Sequence, residues 1–157
     1  LAAFLCCVSL IPNRAAANKR SGNSPYQKAP TVLQQTAPIF QASDGYYHRY
    51  YTSYKELTAK ADICQGVIGS VFIRHEPGTV PLYLSSDGKN HRLTLEPAPN
   101  GDGTIIGYVY EKESDDLNCI YEISDGKNFA YTTEEKDAYG DKGTWKPTGL
   151  SFYTKKV

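Results

Sequence analysis

The chain has 157 residues, and its 17 basic and 17 acidic side chains leave a formal net charge of zero. A protein that grips nucleic acid or an anionic membrane over a broad surface needs a basic surplus to displace counterions, and this composition lacks one. Thirteen tyrosines and thirteen glycines, with no methionine and a single tryptophan, suit pleated, half-buried strands broken by turns.

The chain opens without Met on Leu1–Ile11, LAAFLCCVSLI. An apolar run this short does not span a bilayer but matches the core of a signal peptide. Ala15, Ala16 and Ala17 supply small residues for cleavage. Residues 1–17 are expected to be an N-terminally truncated secretory signal, with a buried N-terminal element or a membrane anchor as alternatives. Leu5 is too bulky for the position before a lipidated cysteine, so Cys6 is not expected to be one. Residues 18–35 are polar, carry Gly22, Pro25 and Pro30, and read as a linker. Behind them remain Cys64 and Cys119. An even cysteine count in an exported chain favours one disulfide, which would close a long loop worth about 4 kcal/mol in the chain-entropy model. Two separate buried thiols are the alternative.

From Thr36 onward the sequence repeats itself. Gly69–Leu95 aligns without a gap to Gly107–Thr133, and Ser86-Asp87-Gly88-Lys89-Asn90 recurs unchanged as Ser124-Asp125-Gly126-Lys127-Asn128. Pro38-Ile39-Phe40, Ser43-Asp44-Gly45 and His48-Arg49-Tyr50 form a further copy. They parallel Pro81-Leu82-Tyr83, Ser86-Asp87-Gly88 and His91-Arg92-Leu93. Gly149-Leu150-Ser151-Phe152-Tyr153 echoes Gly69-Ser70-Val71-Phe72-Ile73 and closes the last copy. The expected units are about 36–75, 76–113 and 114–157, each near 40 residues.

Within each unit an apolar run meets Asp-Gly and then a second run. This is a strong hairpin signal, because Gly accepts the positive φ of a tight turn. Variable stretches follow at Ser53–Ile68, Glu96–Ile106 and Glu134–Thr148, the first with a possible helical turn. Three β units that cannot bury their faces alone call for closure, which also removes sheet edges. The expected fold is an all-β β-trefoil over residues 36–157. A propeller wants more blades, and a solenoid wants caps.

Phe129-Ala130-Tyr131-Thr132-Thr133-Glu134-Glu135-Lys136-Asp137 resembles the "HFYTT-x-x-E-x-D" segment of a secreted repeat family of uncharacterised function. That unit continues with Gly-Trp and a "G-x-x-F-Y" strand, matched here by Gly143-Thr144-Trp145 and Gly149–Tyr153. His91-Arg92-Leu93-Thr94 and His48-Arg49-Tyr50 occupy the same slot. The resemblance spans Thr36–Val157. It departs from the family at Phe129, where the family has His, and in the Trp slot, which only the third copy fills. It implies an accessory targeting or glycan-binding module, without a ligand or catalytic residue.

The repeated Asp44, Asp87 and Asp125 allow two readings. A carboxylate beside an aromatic can hold a sugar's hydroxyls, with Asn90 and Asn128 adding amides, His48 and His91 adding flat polar rings, and Trp145 an aromatic face. The plainer reading is that each Asp accepts backbone hydrogen bonds within its own turn. The Gln-x-Trp signature of ricin-type trefoil lectins is missing. Asn100-Gly101-Asp102-Gly103 resembles half a calcium loop, but Ala98 and Val109 stand where acids are required, so it reads as a surface turn. The histidines at 48, 75 and 91 lack zinc spacing, and no metal or other cofactor is expected. No catalytic motif occurs, so no enzyme is expected. Of Tyr46, Tyr47, Tyr50, Tyr51 and Tyr54, alternation should bury some and leave others outward. The combined expectation is an extracellular, monomeric, non-catalytic module that binds glycan or a cell-surface protein, with no nucleic-acid partner and no membrane span. The alternatives are a trefoil protein–protein effector, such as a protease inhibitor, and a structural surface domain.

Overall fold

The computed structural model describes residues 35–136 and 143–156. The expected signal segment 1–17 lies outside these residues, as does all of the expected linker except Gln35. The Gln35 carbonyl already accepts the Ile73 N–H at 3.1 Å, so pairing begins one residue before the expected domain boundary.

The elements in chain order are β1 (Thr36–Ser43), β2 (His48–Tyr51), α1 (Tyr54–Ala59), β3 (Ile63–Phe72), β4 (Thr79–Ser86), β5 (His91–Thr94), β6 (Thr104–Tyr110), β7 (Leu117–Ser124), β8 (Phe129–Thr132) and β9 (Lys146–Lys155). The fold is all-β and antiparallel, with very little helix among the described residues. No helix there is long and apolar enough to cross a membrane.

β1 pairs with β2 and β3, β4 with β5 and β6, and β7 with β8 and β9. The Asp-Gly dipeptides sit in the three short hairpins, where Gly45, Gly88 and Gly126 adopt φ of 98°, 90° and 92°. Only glycine takes that conformation without strain, which is why the dipeptide recurs there. The inner strands then join the sets into one network, through Phe72 opposite Tyr108 and Tyr110 opposite Tyr153.

The Gly-led strands start earlier than their sequence pattern implies. Ile63–Ile68, Thr104–Ile106 and Lys146–Thr148 belong to β3, β6 and β9 rather than to variable loops. Register shifts opposite Ile39/Phe40, Leu82/Tyr83 and Tyr121/Ile123 let each long strand bend and continue, and such bulges disguise the period-two pattern. The helical turn expected in the first variable stretch is α1, whose Leu57 packs with Ala42 and Tyr51.

The central core joins Ile39, Leu82 and Ile120 to Tyr50, Leu93 and Tyr131, with Val71, Val109 and Phe152 completing it. Burying each aliphatic side chain contributes about 1.5–3 kcal/mol. Adjacent Tyr50 and Tyr51 are both buried, whereas Tyr46 and Tyr54 are exposed. Strand alternation alone would have split the adjacent pair. Instead Tyr50 enters the central core, and Tyr51 the smaller cluster under α1.

One alignment of the sequence does not survive. Ile39 lies opposite Gly69 and Leu82 opposite Gly107, but Ile120 lies opposite Phe152, not Gly149. The third inner strand is therefore displaced relative to its sequence echo, and a buried aromatic ring fills the place that glycine holds in the other two.

The expected disulfide is also corrected. Cys64 and Cys119 are both free, Cys64 exposed on β3 opposite Ala42 and Cys119 on β7 opposite Tyr153. They stand in different strand pairs, each facing its own cross-strand neighbour, which is not the face-to-face approach that an S–S bond demands. A short pulse of alkylating reagent on the native protein, mapped by mass spectrometry, should label Cys64 first and leave Cys119 slower. Recovery of a Cys64–Cys119 cross-linked peptide would contradict this arrangement.

Candidate ligand groove

Each Asp-Gly turn is closed from within. The Asp44 Oδ1 accepts the N–H groups of Tyr46 and Tyr47, both at 2.9 Å. Asp87 accepts those of Lys89 (2.9 Å) and Asn90 (2.7 Å), and Asp125 those of Lys127 (2.8 Å) and Asn128 (2.7 Å). The preceding serines add a second lock, with Ser43, Ser86 and Ser124 Oγ accepting the glycine N–H. These backbone donors hold all three carboxyls below the usual carboxylate range, led by the Tyr47, Asn90 and Asn128 N–H groups respectively. Asn90 and Asn128 donate Nδ2–H back to the Oδ2 of their own Asp, while Arg49 does this for Asp44. The plainer reading of the Asp residues thus accounts for their geometry.

The residue opening β2, β5 and β8 is His48, His91 and Phe129, and each reaches a neighbouring strand set. The His91 Nδ1 accepts the Tyr50 N–H at 3.1 Å, and its ring meets Tyr51 edge-on. His48 packs on Trp145 at 5.7 Å between centroids, and Asp125 bears on it electrostatically. Phe129 lies under the Arg92 guanidinium, 4.3 Å from the ring centre. The structure thus brings three expected site residues, His48, Asp125 and Trp145, into one place from two different sets. A hollow of about 390 Å³ beside them is lined by Asp125, Thr144, Lys146 and Thr148.

Burial pushes both histidines below their ordinary 6.5. The folded state then binds fewer protons than the unfolded chain. Their contribution is complete above the unfolded value of 6.5 and is lost as pH falls below it. Urea midpoints should be flat at neutral pH and drop on acidification below about pH 6.5, and a His48→Asn/His91→Asn double variant should flatten that drop. An unchanged acid limb in the double variant would remove the histidines as its cause.

Two adjoining hollows lie elsewhere, around Arg92. One lobe, of about 300 Å³, is lined by Asp87, Asn90, Asn100, Asp102 and Phe129. A second, of about 450 Å³, is lined by Leu95, Glu96, Pro97, Pro99, Glu111 and Leu150. Ser85, Arg92 and Ala98 belong to both. These volumes match small-molecule sites, which run roughly from 300 to 1,000 Å³. The loop wall is stiffened by Pro97 and Pro99, by the Gly101 N–H bond to the Ala98 carbonyl (2.7 Å) and by the Ala98 N–H bond to the Asp102 carbonyl (3.2 Å).

Behind Arg92 lies a buried carboxylate. Glu122, 1% exposed, accepts Arg92 Nε–H at 3.0 Å and Nη2–H at 2.8 Å, the Thr148 hydroxyl at 2.6 Å and the Tyr131 hydroxyl at 2.6 Å. Tyr131 in turn accepts the Leu93 N–H at 2.7 Å. The Glu122 hydrogen bonds hold Arg92 above its usual range, and burial raises Tyr131. A second, smaller network repeats the theme: Tyr51 donates to the buried Asp62 at 2.6 Å, beside Arg49. Burial first, and then Asp62, push Tyr51 up to about 12.

Of the expected site residues, Asp87 and Asn90 line the groove, and Asp44, Asp125 and Asn128 make turns. His91 is spent on Tyr50. Arg92, Asn100, Asp102 and Phe129 were not singled out as site residues, and neither was Glu122. Period-two alternation places Glu122 on the face of Ile120, so an acid at an inward strand position was the signal available. Compared with protein-family models, curated proteins and solved structures, the chain matches none.

Proposed function

We propose that the chain is an extracellular, non-catalytic binding module whose Arg92 groove takes a glycan on a cell-surface or matrix component. The observation that carries this reading is the groove itself. Asn100 and Asp102 on the stiff loop line it together with Asn90, the Phe129 ring and the Arg92 guanidinium. Polar groups around an apolar face are what a sugar's hydroxyls and its C–H face require. The triplicated sequence and the three like-paired strand sets support a threefold, trefoil-like architecture. Each set supplies three strands, and the inner ones meet.

A glycan array probed at concentrations that reveal weak lectins tests the reading, followed by titration of any hit against Asn100→Ala and Phe129→Ala. Each substitution should weaken binding about tenfold; Asn100→Ala should leave the unfolding midpoint near that of the parent, and Phe129→Ala, whose ring packs against the core, should lower it. An array without hits removes the glycan reading.

A protein-facing role is favoured by a different surface. Tyr54 packs on Phe40, which pairs with Val67, and Tyr54, Ile63 and Val67 are all more than half exposed. Charged substitutions at Ile63 and Val67 that abolish binding to cell surfaces while sparing glycan binding would assign the partner to that face.

A further inference from the structure

We infer that the Arg92 groove selects uncharged saccharides and rejects acidic ones, although an arginine lies at its centre. The inference rests on the glycan reading and narrows it. An arginine in a groove ordinarily marks a carboxylate, sulfate or phosphate site, because its fork matches those anions in a bidentate manner. Here one bidentate edge is already filled. Nε and Nη2 both bond the buried Glu122, at 3.0 and 2.8 Å, so an anion would have to share the guanidinium with a carboxylate already in place.

The same contact cancels the charge. Glu122 is fully buried beside the guanidinium, and Thr148 and Tyr131 donate to the same carboxylate, so Glu122 is saturated and held in place. What Arg92 retains beyond Glu122 are the Nη1 hydrogens and one on Nη2, hydrogen-bond donors whose positive charge is offset by the carboxylate beside them. Neutral acceptors use such donors well: a sugar hydroxyl, a ring oxygen or an acetamido carbonyl.

The rim is acidic as well. Glu96 and Glu111 line the larger lobe, and Asp87 and Asp102 the smaller. Among the described residues, Arg92 is the only basic one lining either lobe, and its charge is offset by Glu122. Among the described lining residues an approaching anion therefore meets four carboxylates and no cation but the Glu122-paired Arg92, a like-charge arrangement that disfavours the wrong partner before contact.

The test titrates the intact protein with cellohexaose, maltohexaose and chitohexaose as neutral probes, and with hyaluronan and heparin hexasaccharides as acidic ones. Each is run at low and at physiological salt. Neutral probes should bind with affinities that change less than about twofold with salt, and acidic probes at least about tenfold more weakly at low salt. Glu96→Gln/Glu111→Gln should raise acidic-probe affinity about fivefold and leave neutral binding in place. Arg92→Lys cannot hold Glu122 with a fork and still reach the groove, so neutral binding should fall about tenfold in a variant shown to be folded by its unfolding midpoint.

Preferential binding of hyaluronan or heparin by the parent overturns the inference and keeps the glycan reading. So does loss of neutral binding in the double glutamine variant, since the carboxylates would then be ligands and not a fence. Unchanged neutral binding in Arg92→Lys removes the role given to that residue. Failure of every saccharide to bind overturns the glycan reading, and the inference with it.

Discussion

Replacing Glu122 by alanine should lower the unfolding free energy by about 3–5 kcal/mol, which is a large share of the 5–15 kcal/mol that holds a typical domain. The loss comes less from the attraction removed than from what is left behind. Arg92 keeps its charge with no counter-ion, the buried Tyr131 hydroxyl is left with only the Leu93 carbonyl to accept its proton, and the Thr148 hydroxyl on the exposed part of β9 loses its partner. Glu122→Gln should cost less, because the amide keeps one acceptor oxygen for Arg92 while losing the charge. Glu122→Leu combined with Arg92→Met should cost less than Glu122→Ala alone, since neither charge then remains unpaired. Urea or guanidinium midpoints at neutral pH measure all three. A Glu122→Ala protein within about 1 kcal/mol of the parent would mean that the buried network does not form. The same variant should weaken any groove ligand, because Glu122 is what holds the guanidinium in position.

Gly107→Ala should be nearly as damaging, at about 3 kcal/mol. A Cβ on Gly107 would sit 2.5 Å from the Val71 Cβ and Cγ2 and 2.8 Å from the Phe72 carbonyl oxygen. Those atoms belong to β3, so the new methyl can be accommodated only by moving a backbone that holds the central junction. The φ of 154° adds strain for any side chain. Gly69→Ala provides the internal control. Its Cβ would lie 3.0 Å from Thr154 side-chain atoms, which can yield by rotating, so about 1 kcal/mol is expected. Equal midpoints for the two alanine variants would show that the inner strands do not approach as closely as described.

These two sites show where sequence reading stops. The recurrence of Gly69 and Gly107 was visible, but its cause lies in a neighbouring strand set and so in no local pattern. Glu122 was visible only as one acid in an alternating run. Its three donors come from β5, β8 and β9, and chain order does not announce that meeting. The third inner strand misled for a related reason: Gly149-Leu150-Ser151-Phe152-Tyr153 echoes Gly69-Ser70-Val71-Phe72-Ile73 in its Gly and Phe, yet the pairing sets Phe152 where the other two strands have glycine. A local match cannot register a shift of pairing.

The sequence by itself determined the β class, the three short hairpins and the atoms that close them. Asp-Gly and its flanking runs act within a few residues, where backbone sterics and local hydrogen bonds decide the outcome. Only the tertiary structure decided what those hairpins surround. It committed the repeated Asp side chains to turns and His91 to Tyr50, left Cys64 and Cys119 apart, and gathered Arg92, Phe129 and the Pro97–Asp102 loop around one groove. Those outcomes depend on which strand sets abut and in what register, and that choice is made by burial and close packing over the whole core.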